Sequence, residues 1–271
     1  GYKTVPSGPR CGTARASHEV AEGYKDVEEK SVFVKFKVKG RDNAYFLAWT
    51  TTPWTLPSNV ALCVNPAEDY AEIKVGSERY IMADALVGSL FKDDEYEKIS
   101  VKKGNEYEYT EYEPLFDYDT GAKEKAYYVT CDGYVTLTDG TGVVHIAPAF
   151  GEDDSNVGKR YGLPFVQMVD GRGRFVDAAY DLKGVFAKDA DKLVIERLKA
   201  EGKLFKELMF THSYPFCWRC DTPLLYYARS SWFIKVTAVK EQLLASNASV
   251  NWMPPTIGTG RMGNFLENVI D

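Results

Sequence analysis

Three consecutive threonines, Thr50, Thr51 and Thr52, run into Pro53-Trp54 within the stretch from Leu47 to Asn59. Much later, Gly140 to His145 leads into Ala147-Pro148-Ala149-Phe150-Gly151 and then Glu152-Asp153-Asp154. Threonine hydroxyls are weak nucleophiles unless a base activates them. The spacing gives no Ser-His-Asp or Cys-His arrangement, and no Gly-x-Ser-x-Gly elbow occurs. A carboxylate in a cleft is the natural partner of an ammonium group through charge-assisted hydrogen bonds. The economical chemistry is therefore attack by water on an already activated ester. The hydroxyls would orient that water and the substrate, a positioning effect rather than covalent catalysis.

Blander readings exist for each part. A threonine run suits an edge strand ending in a turn, a lone His among apolar residues is often a satisfied core group, and Asp154 suits a helix start. The joint placement favours chemistry, because His145 and Asp154 flank one strand-to-helix corner, where pocket residues commonly sit. If the threonines continue a strand, period two puts Thr50 and Thr52 on one face and makes Thr51 structural.

The elements that must hold these residues are mostly strands. Val32, Val34, Phe36 and Val38 alternate with Lys35 and Lys37, and a turn at Gly40 to Asn43 leads to a hairpin partner over Ala44 to Thr50. Short strands are expected over Asn59 to Val64 and Tyr70 to Val75. The spacing of Leu86, Val87, Leu90 and Phe91 predicts a helix over Ser77 to Phe91. Asp93 to Tyr118 reads as a surface hairpin, with Tyr107 and Tyr109 at period two. Tyr127 to Leu137 is a strand region, followed by a buried strand over Val143 to Ala147 and an acid-started helix to about Tyr161. Asp189 to Gly202 reads as a helix with an Asp cap, and Thr237 to Asn247 as a last amphipathic helix. Gly258 to Asp271 shows little sign of a closing core element.

With 271 residues, 45% apolar and 27% charged, the chain can build a sizeable core of ordinary soluble composition. No apolar run is long enough to span a membrane, and no signal-peptide pattern opens the chain. A net charge of −6 argues against holding nucleic acid by bulk electrostatics. Five unevenly spaced cysteines do not make a disulfide framework, so a reducing, cytoplasmic setting is expected. Eighteen tyrosines and fourteen phenylalanines favour β-rich architecture.

The run Trp49 to Asn59 resembles the threonine-rich segment of the isoleucyl-tRNA synthetase family, and Gly140 to Asp154 resembles that family's second editing segment. The resemblance extends from Ser17-His18-Glu19-Val20 to Ser231-Trp232-Phe233. The valyl and leucyl enzymes typically carry Arg before the Pro, where this chain has Thr52. The family's His-Ile-Gly-His and Lys-Met-Ser-Lys-Ser signatures are absent, so the chain looks like the editing insertion (connective peptide 1) without an aminoacylation site.

The resemblance implies an α+β, β-rich fold, a β-barrel editing domain with flanking helices. The organisation expected is a connecting segment over 1–30, an editing core over 31–165 and peripheral segments over 166–271. It implies post-transfer editing, hydrolysis of the ester of mischarged Val-tRNA(Ile). The isoleucyl enzymes are the standard instance of a synthetic site that one missing methylene cannot discriminate well enough. Asp154 would hold the α-ammonium. Thr50, Thr51, Thr52 and Asn59 would hold the terminal adenosine and the attacking water, and His145 would line the side-chain pocket and exclude isoleucine. Trp54 is either a wall of that pocket or core. The implied partners are the aminoacyl 3′ end of tRNA(Ile) and the rest of the synthetase, with no membrane and no cofactor needed for editing. The rival reading is a non-catalytic connector that orients the tRNA 3′ end.

Cys217-x-x-Cys220 resembles half of a four-ligand zinc knuckle whose other half is a Cys-x-x-Cys near the start. Gly8 stands where the first of those ligands would be, leaving Cys11 alone. Three thiolates could bind zinc with His212, Asp221 or water, or the site could be an emptied one held by packing. Cys63 and Cys131 read as small buried hydrophobes. Lys159-Arg160, Arg172 with Arg174, and Arg219 with Arg229 either line a tRNA path or are ordinary solvated surface.

Overall fold

The alternation over Val32 to Val38 forms the spine of the structure, a computed structural model that describes residues 1–122 and 124–269. In chain order come β1 (Tyr2–Gly8), β2 (Thr13–Ala14), α1 (Ser17–Ala21), β3 (Tyr24–Lys37), β4 (Ala44–Thr50), β5 (Ala61–Val64), β6 (Asp69–Val75), β7 (Glu78–Ala83) and α2 (Val87–Leu90). There follow β8 (Glu97–Lys103), β9 (Tyr128–Cys131), β10 (Val143–Ile146), α3 (Glu152–Tyr161), α4 (Ala187–Ala200), β11 (Leu204–Pro215), β12 (Leu225–Ser230), α5 (Lys240–Ser249) and α6 (Gly263–Glu267). Contacts divide the chain into two units, Thr4–Ala228 and Gly1–Lys3 with Arg229–Asp271.

In the larger unit, six strands pair in the order β11-β3-β4-β7-β6-β8 and three more in the order β10-β5-β9. Period two gives the larger sheet two apolar faces. Val32, Val34, Phe36, Phe46, Ala48, Ile81 and Ala83 face the main cluster, while Leu47, Ala71, Ile73, Tyr80 and Met82 face a second one. Strands covered on both faces read as near-continuous apolar runs. The main cluster also takes in Ala61 to Val64, Val157 of α3, Met168, Phe175, and Val194, Ile195 and Leu198 of α4, so the core continues beyond residue 165. β4 pairs with β3 only from Val32 to Lys37. From Tyr24 to Ser31, β3 pairs with β11 alone, in an antiparallel ribbon that reaches Tyr24 opposite Pro215.

Several expectations need correction. The β-rich mixture of strands and helices stands, and among the described strands the larger ladder runs from β11 to β8 with no pairing that closes it. The helix expected over Ser77 to Phe91 is β7 followed by a 3-10 turn, Asp84–Leu86, and one α-helical turn. Gly76, at a φ of 60°, supplies the left-handed turn between β6 and β7. Tyr80 and Met82 then go to one face and Ile81 and Ala83 to the other, and the helical spacing of Leu86 and Leu90 spans only the final turn. The surface hairpin is instead the edge strand β8 and a short 3-10 turn, Gly104–Tyr107. Tyr107 is buried there and Tyr109 exposed, so the pair is not a strand face. The strand region after Tyr127 shrinks to β9. Phe186, not Asp189, stands at the start of α4. α5 buries no side chain, and a π-type turn at Ile257–Met262 with α6 follows it in the smaller unit. No helix among the described residues is long and apolar enough to cross a membrane.

Candidate active site

β4 ends at Thr50, and the chain turns at once into a buried 3-10 turn, Pro53–Ser58. The first amides of a helical turn lack internal partners, and each is accounted for here. Pro53 has none to offer. Trp54 donates its backbone N–H to Asp191 Oδ1 of α4 at 2.8 Å, and Thr55 N–H goes to the Thr52 carbonyl at 3.0 Å. Thr52 N–H donates to Thr50 Oγ1 at 3.1 Å. The side chains continue the chain of contacts, with Thr50 and Thr52 hydroxyls 3.3 Å apart and those of Thr52 and Thr55 3.4 Å apart.

β10 brings His145 to this turn through its antiparallel pairing with β5, His145 opposite Leu62. His145 Nε2 lies 3.0 Å from Thr55 Oγ1. Thr55 Oγ1 already gives its proton to the Thr52 carbonyl at 2.8 Å. The imidazole therefore donates through Nε2–H, and Nδ1 is left as a buried acceptor with no partner among the described residues. Burial holds the His145 pKa down at about 4. A ring neutral at physiological pH, and so hard to protonate, is a poor general base. Its part is shape and hydrogen bonding.

Just past β10 the chain enters α3, whose third residue is Asp154. Its Oδ2 accepts the Ala147 N–H at 2.9 Å. Gly151 starts the helix because a Cβ there would come within 2.8 Å of the Asp154 carboxyl carbon. Desolvation pushes the Asp154 carboxyl up to about 7, opposed by the Ala147 hydrogen bond. The group is thus poised between neutral and charged, and an arriving cation would favour the charged form.

These pieces meet in one cleft of about 310 Å³ lined by Thr50, Thr51, Thr52, His145 and Asp154, with Trp49, Thr55, Val144, Ala147 and Phe150. Five of the seven residues expected at the site are brought together. Trp54 is core, buried edge-on against Phe150 with ring centroids 5.0 Å apart. Asn59 is a buried structural lock, giving Nδ2–H to the Ala61 carbonyl at 2.8 Å and accepting the Tyr112 hydroxyl at 2.6 Å. Neither lines the cleft. Thr51 does line it, so its expected structural role is not its only one. Thr55 and Asp191 escaped the sequence reading. Thr55 stands just past the proline and could have been noticed as a further hydroxyl; Asp191 gives no local signal. Burial pushes Asp191 up to about 7 against the pull of Lys188.

Cys11, Cys217 and Cys220 come together as expected, their sulfurs all within 4.8 Å of one another. Burial alone would push the Cys217 thiol up, but hydrogen bonds from Arg15 and from the backbone at Arg219 and Cys220 bring it down to about 6. Cys63 and Cys131 lie outside this group, and desolvation pushes their thiols up to about 12 and about 11. Arg160 and Arg219 are tied to Asp132 and Glu19, whereas Arg172 and Arg174 line a second cleft with Arg10 and Asp189.

The model of "tRNA synthetases class I (I, L, M and V)" matches residues 1–271. An isoleucine–tRNA ligase of Clostridium novyi is 55% identical over 271 residues, all of this chain and 26% of that protein. One of Picrophilus torridus is 49% identical over 270 residues, again with 26% of its length covered. This chain therefore spans about a quarter of such ligases. Among solved structures, GlLeuRS-CP1 is similar in fold, with a TM-score of 0.52 at 13% identity over 65% of this chain and 98% of that one. With its whole length matched and its relatives so similar, the chain belongs to the class I tRNA synthetase family of the isoleucine, leucine, methionine and valine enzymes.

Proposed function

We propose that this chain is the editing region of an isoleucyl-tRNA synthetase and hydrolyses the aminoacyl ester of mischarged Val-tRNA(Ile). The observation that carries the reading is the single cleft that gathers the Thr50 and Thr52 hydroxyls, His145 and Asp154. No nucleophile–base pair is needed for its chemistry. Asp154, charged once an ammonium arrives, anchors the α-amino group by a charge-assisted hydrogen bond. The hydroxyls hold the terminal ribose and the attacking water in line with the ester carbon, which lowers the entropic part of the barrier. His145, neutral and fixed by Thr55, narrows the space for the aminoacyl side chain. Rejection by size at a second site supplies discrimination that a synthetic pocket lacks. The partners are the tRNA(Ile) 3′ end and the remainder of the synthetase, in the cytoplasm.

The test is deacylation of Val-tRNA(Ile) and Ile-tRNA(Ile), measured with this chain and with the full synthetase that contains it. Selective loss of the valyl ester is expected. A full synthetase whose Asp154→Ala variant clears Val-tRNA(Ile) as fast as the parent would overturn the reading and leave a connector that only orients the tRNA end.

A further inference from the structure

The resemblance to isoleucyl enzymes leads to the expectation of a four-ligand zinc knuckle beside β1 and β11. A closed structural zinc site takes four protein ligands, and the described residues supply three, Cys11, Cys217 and Cys220. The two side chains nearest in sequence that could complete the set are engaged elsewhere. His212 Nε2 lies 3.4 Å from Glu29 Oε2, and Asp221 Oδ1 accepts the Lys25 ammonium at 2.5 Å.

A buried cation reaches the knuckle from within the fold. Arg15 is only 5% exposed, and its Nη2 donates to Cys217 Sγ at 3.2 Å. Its Nη1 donates to Thr13 Oγ1 at 2.5 Å, which holds the guanidinium in place. A Cβ added at Gly8 would lie 3.5 Å from Arg15 Nη2 and 3.7 Å from Cys11 Cβ. The guanidinium thus lies in van der Waals contact with the place a Cβ at position 8 would take, beside Cys11. It is a permanent cation that cannot be deprotonated. It gives sulfur the positive partner a metal would otherwise provide, and it repels a dication beside it.

Each loop is also closed by its own backbone hydrogen bonds. Cys217 N–H goes to the Thr222 carbonyl at 2.8 Å, Asp221 N–H to the Cys217 carbonyl at 2.8 Å, and Gly12 N–H to the Gly8 carbonyl at 2.8 Å. Val20 and Leu224 pack against the buried Cys217. We propose that the Cys11–Cys217–Cys220 knuckle is metal-free, with Arg15 taking the place of zinc as the cation that holds the Cys217 sulfur.

The test is zinc content by mass spectrometry, with melting temperature, on the full chain purified with zinc supplied and then dialysed. The expected result is well under one zinc per chain and a melting temperature that neither zinc nor a chelator moves. Gly8→Cys combined with Arg15→Ala restores the fourth sulfur and removes the competing cation. That variant should retain one zinc per chain and lose melting temperature on chelation. Arg15→Ala alone should lower the melting temperature whether or not zinc is present, with circular dichroism verifying the fold. A parent chain that keeps one zinc through dialysis and melts earlier with a chelator would overturn the proposal, as would zinc rescue of Arg15→Ala.

Discussion

Asp191 on α4 receives the backbone N–H of Trp54 at 2.8 Å, across 137 residues of sequence. The turn that presents the threonines is therefore pinned by a carboxylate that lies outside the threonine cleft. Asp191→Ala leaves a buried N–H unpaired, which costs about 1–3 kcal/mol. The expected outcome is a lower melting temperature and a deacylation kcat that falls more than KM rises. Asp191→Asn keeps an acceptor and should recover most of both. Steady-state kinetics and thermal melts on the two variants check this.

The pH dependence of Asp154 runs in a defined direction. Its carboxyl is raised to about 7 in the folded chain, so the folded state binds the proton more tightly than the unfolded one. The stability this contributes is complete below the unfolded carboxylate value and is lost as pH rises through about 7. Asp154→Asn should therefore gain melting temperature relative to the parent as pH is taken from about 4 to about 8. Deacylation should move the opposite way, rising through about pH 7 as the ammonium anchor becomes charged. The Asn variant should be slow and flat across that range.

His145, held near pKa 4 by burial, should leave no inflection in the rate profile at the ordinary histidine value of about 6.5. On the proposed reading, His145→Ala opens the wall it forms, so Ile-tRNA(Ile) should become hydrolysable while Val-tRNA(Ile) should still be hydrolysed. Competitive deacylation of the two esters reads the change as a fall in selectivity.

Thr55→Val removes the acceptor of the His145 Nε2–H without changing volume much. An unpaired buried donor costs about 1–3 kcal/mol. Selectivity should fall along with melting temperature, because the ring that sets the pocket is no longer fixed. Thr52→Val, by contrast, should reduce the rate for Val-tRNA(Ile) more than it alters selectivity. Parallel measurement of rate and ester preference separates the two hydroxyls.

Local pattern carried the parts of the fold and cleft that depend on neighbours in sequence. Val32 to Val38 announced a strand by alternation, and His145 and Asp154 announced a corner because one strand runs directly into one helix start. The misreadings arise where tertiary contacts decide. Leu86 and Leu90 have helical spacing, but Tyr80 to Ala83 are drawn into a sheet by β4 and β6 on either side. Asn59, expected at the site, gives no sequence signal of its hydrogen bond with Tyr112, which comes from 53 residues away. Asp191 carries no signal near the threonines, since its contact spans 137 residues. Glycine at position 8 was legible as a missing ligand; only Arg15's contact with Cys217 reveals what took its place.

The ribbon of β3 and β11 beyond Ser31 has a mechanical consequence. The polypeptide arrives at the large sheet and departs from it side by side, at Tyr24 and Pro215. Two hydrogen-bonded strands resist tension along their length and bend readily across it. A host fold interrupted there would find its broken ends about 5 Å apart, the spacing of neighbouring strands. The ribbon is not the sole tie, because Ala228 N–H reaches the Ala149 carbonyl and Leu225 packs in the main cluster, so the body between Tyr24 and Pro215 is held at a second point and its two strand ends keep their spacing.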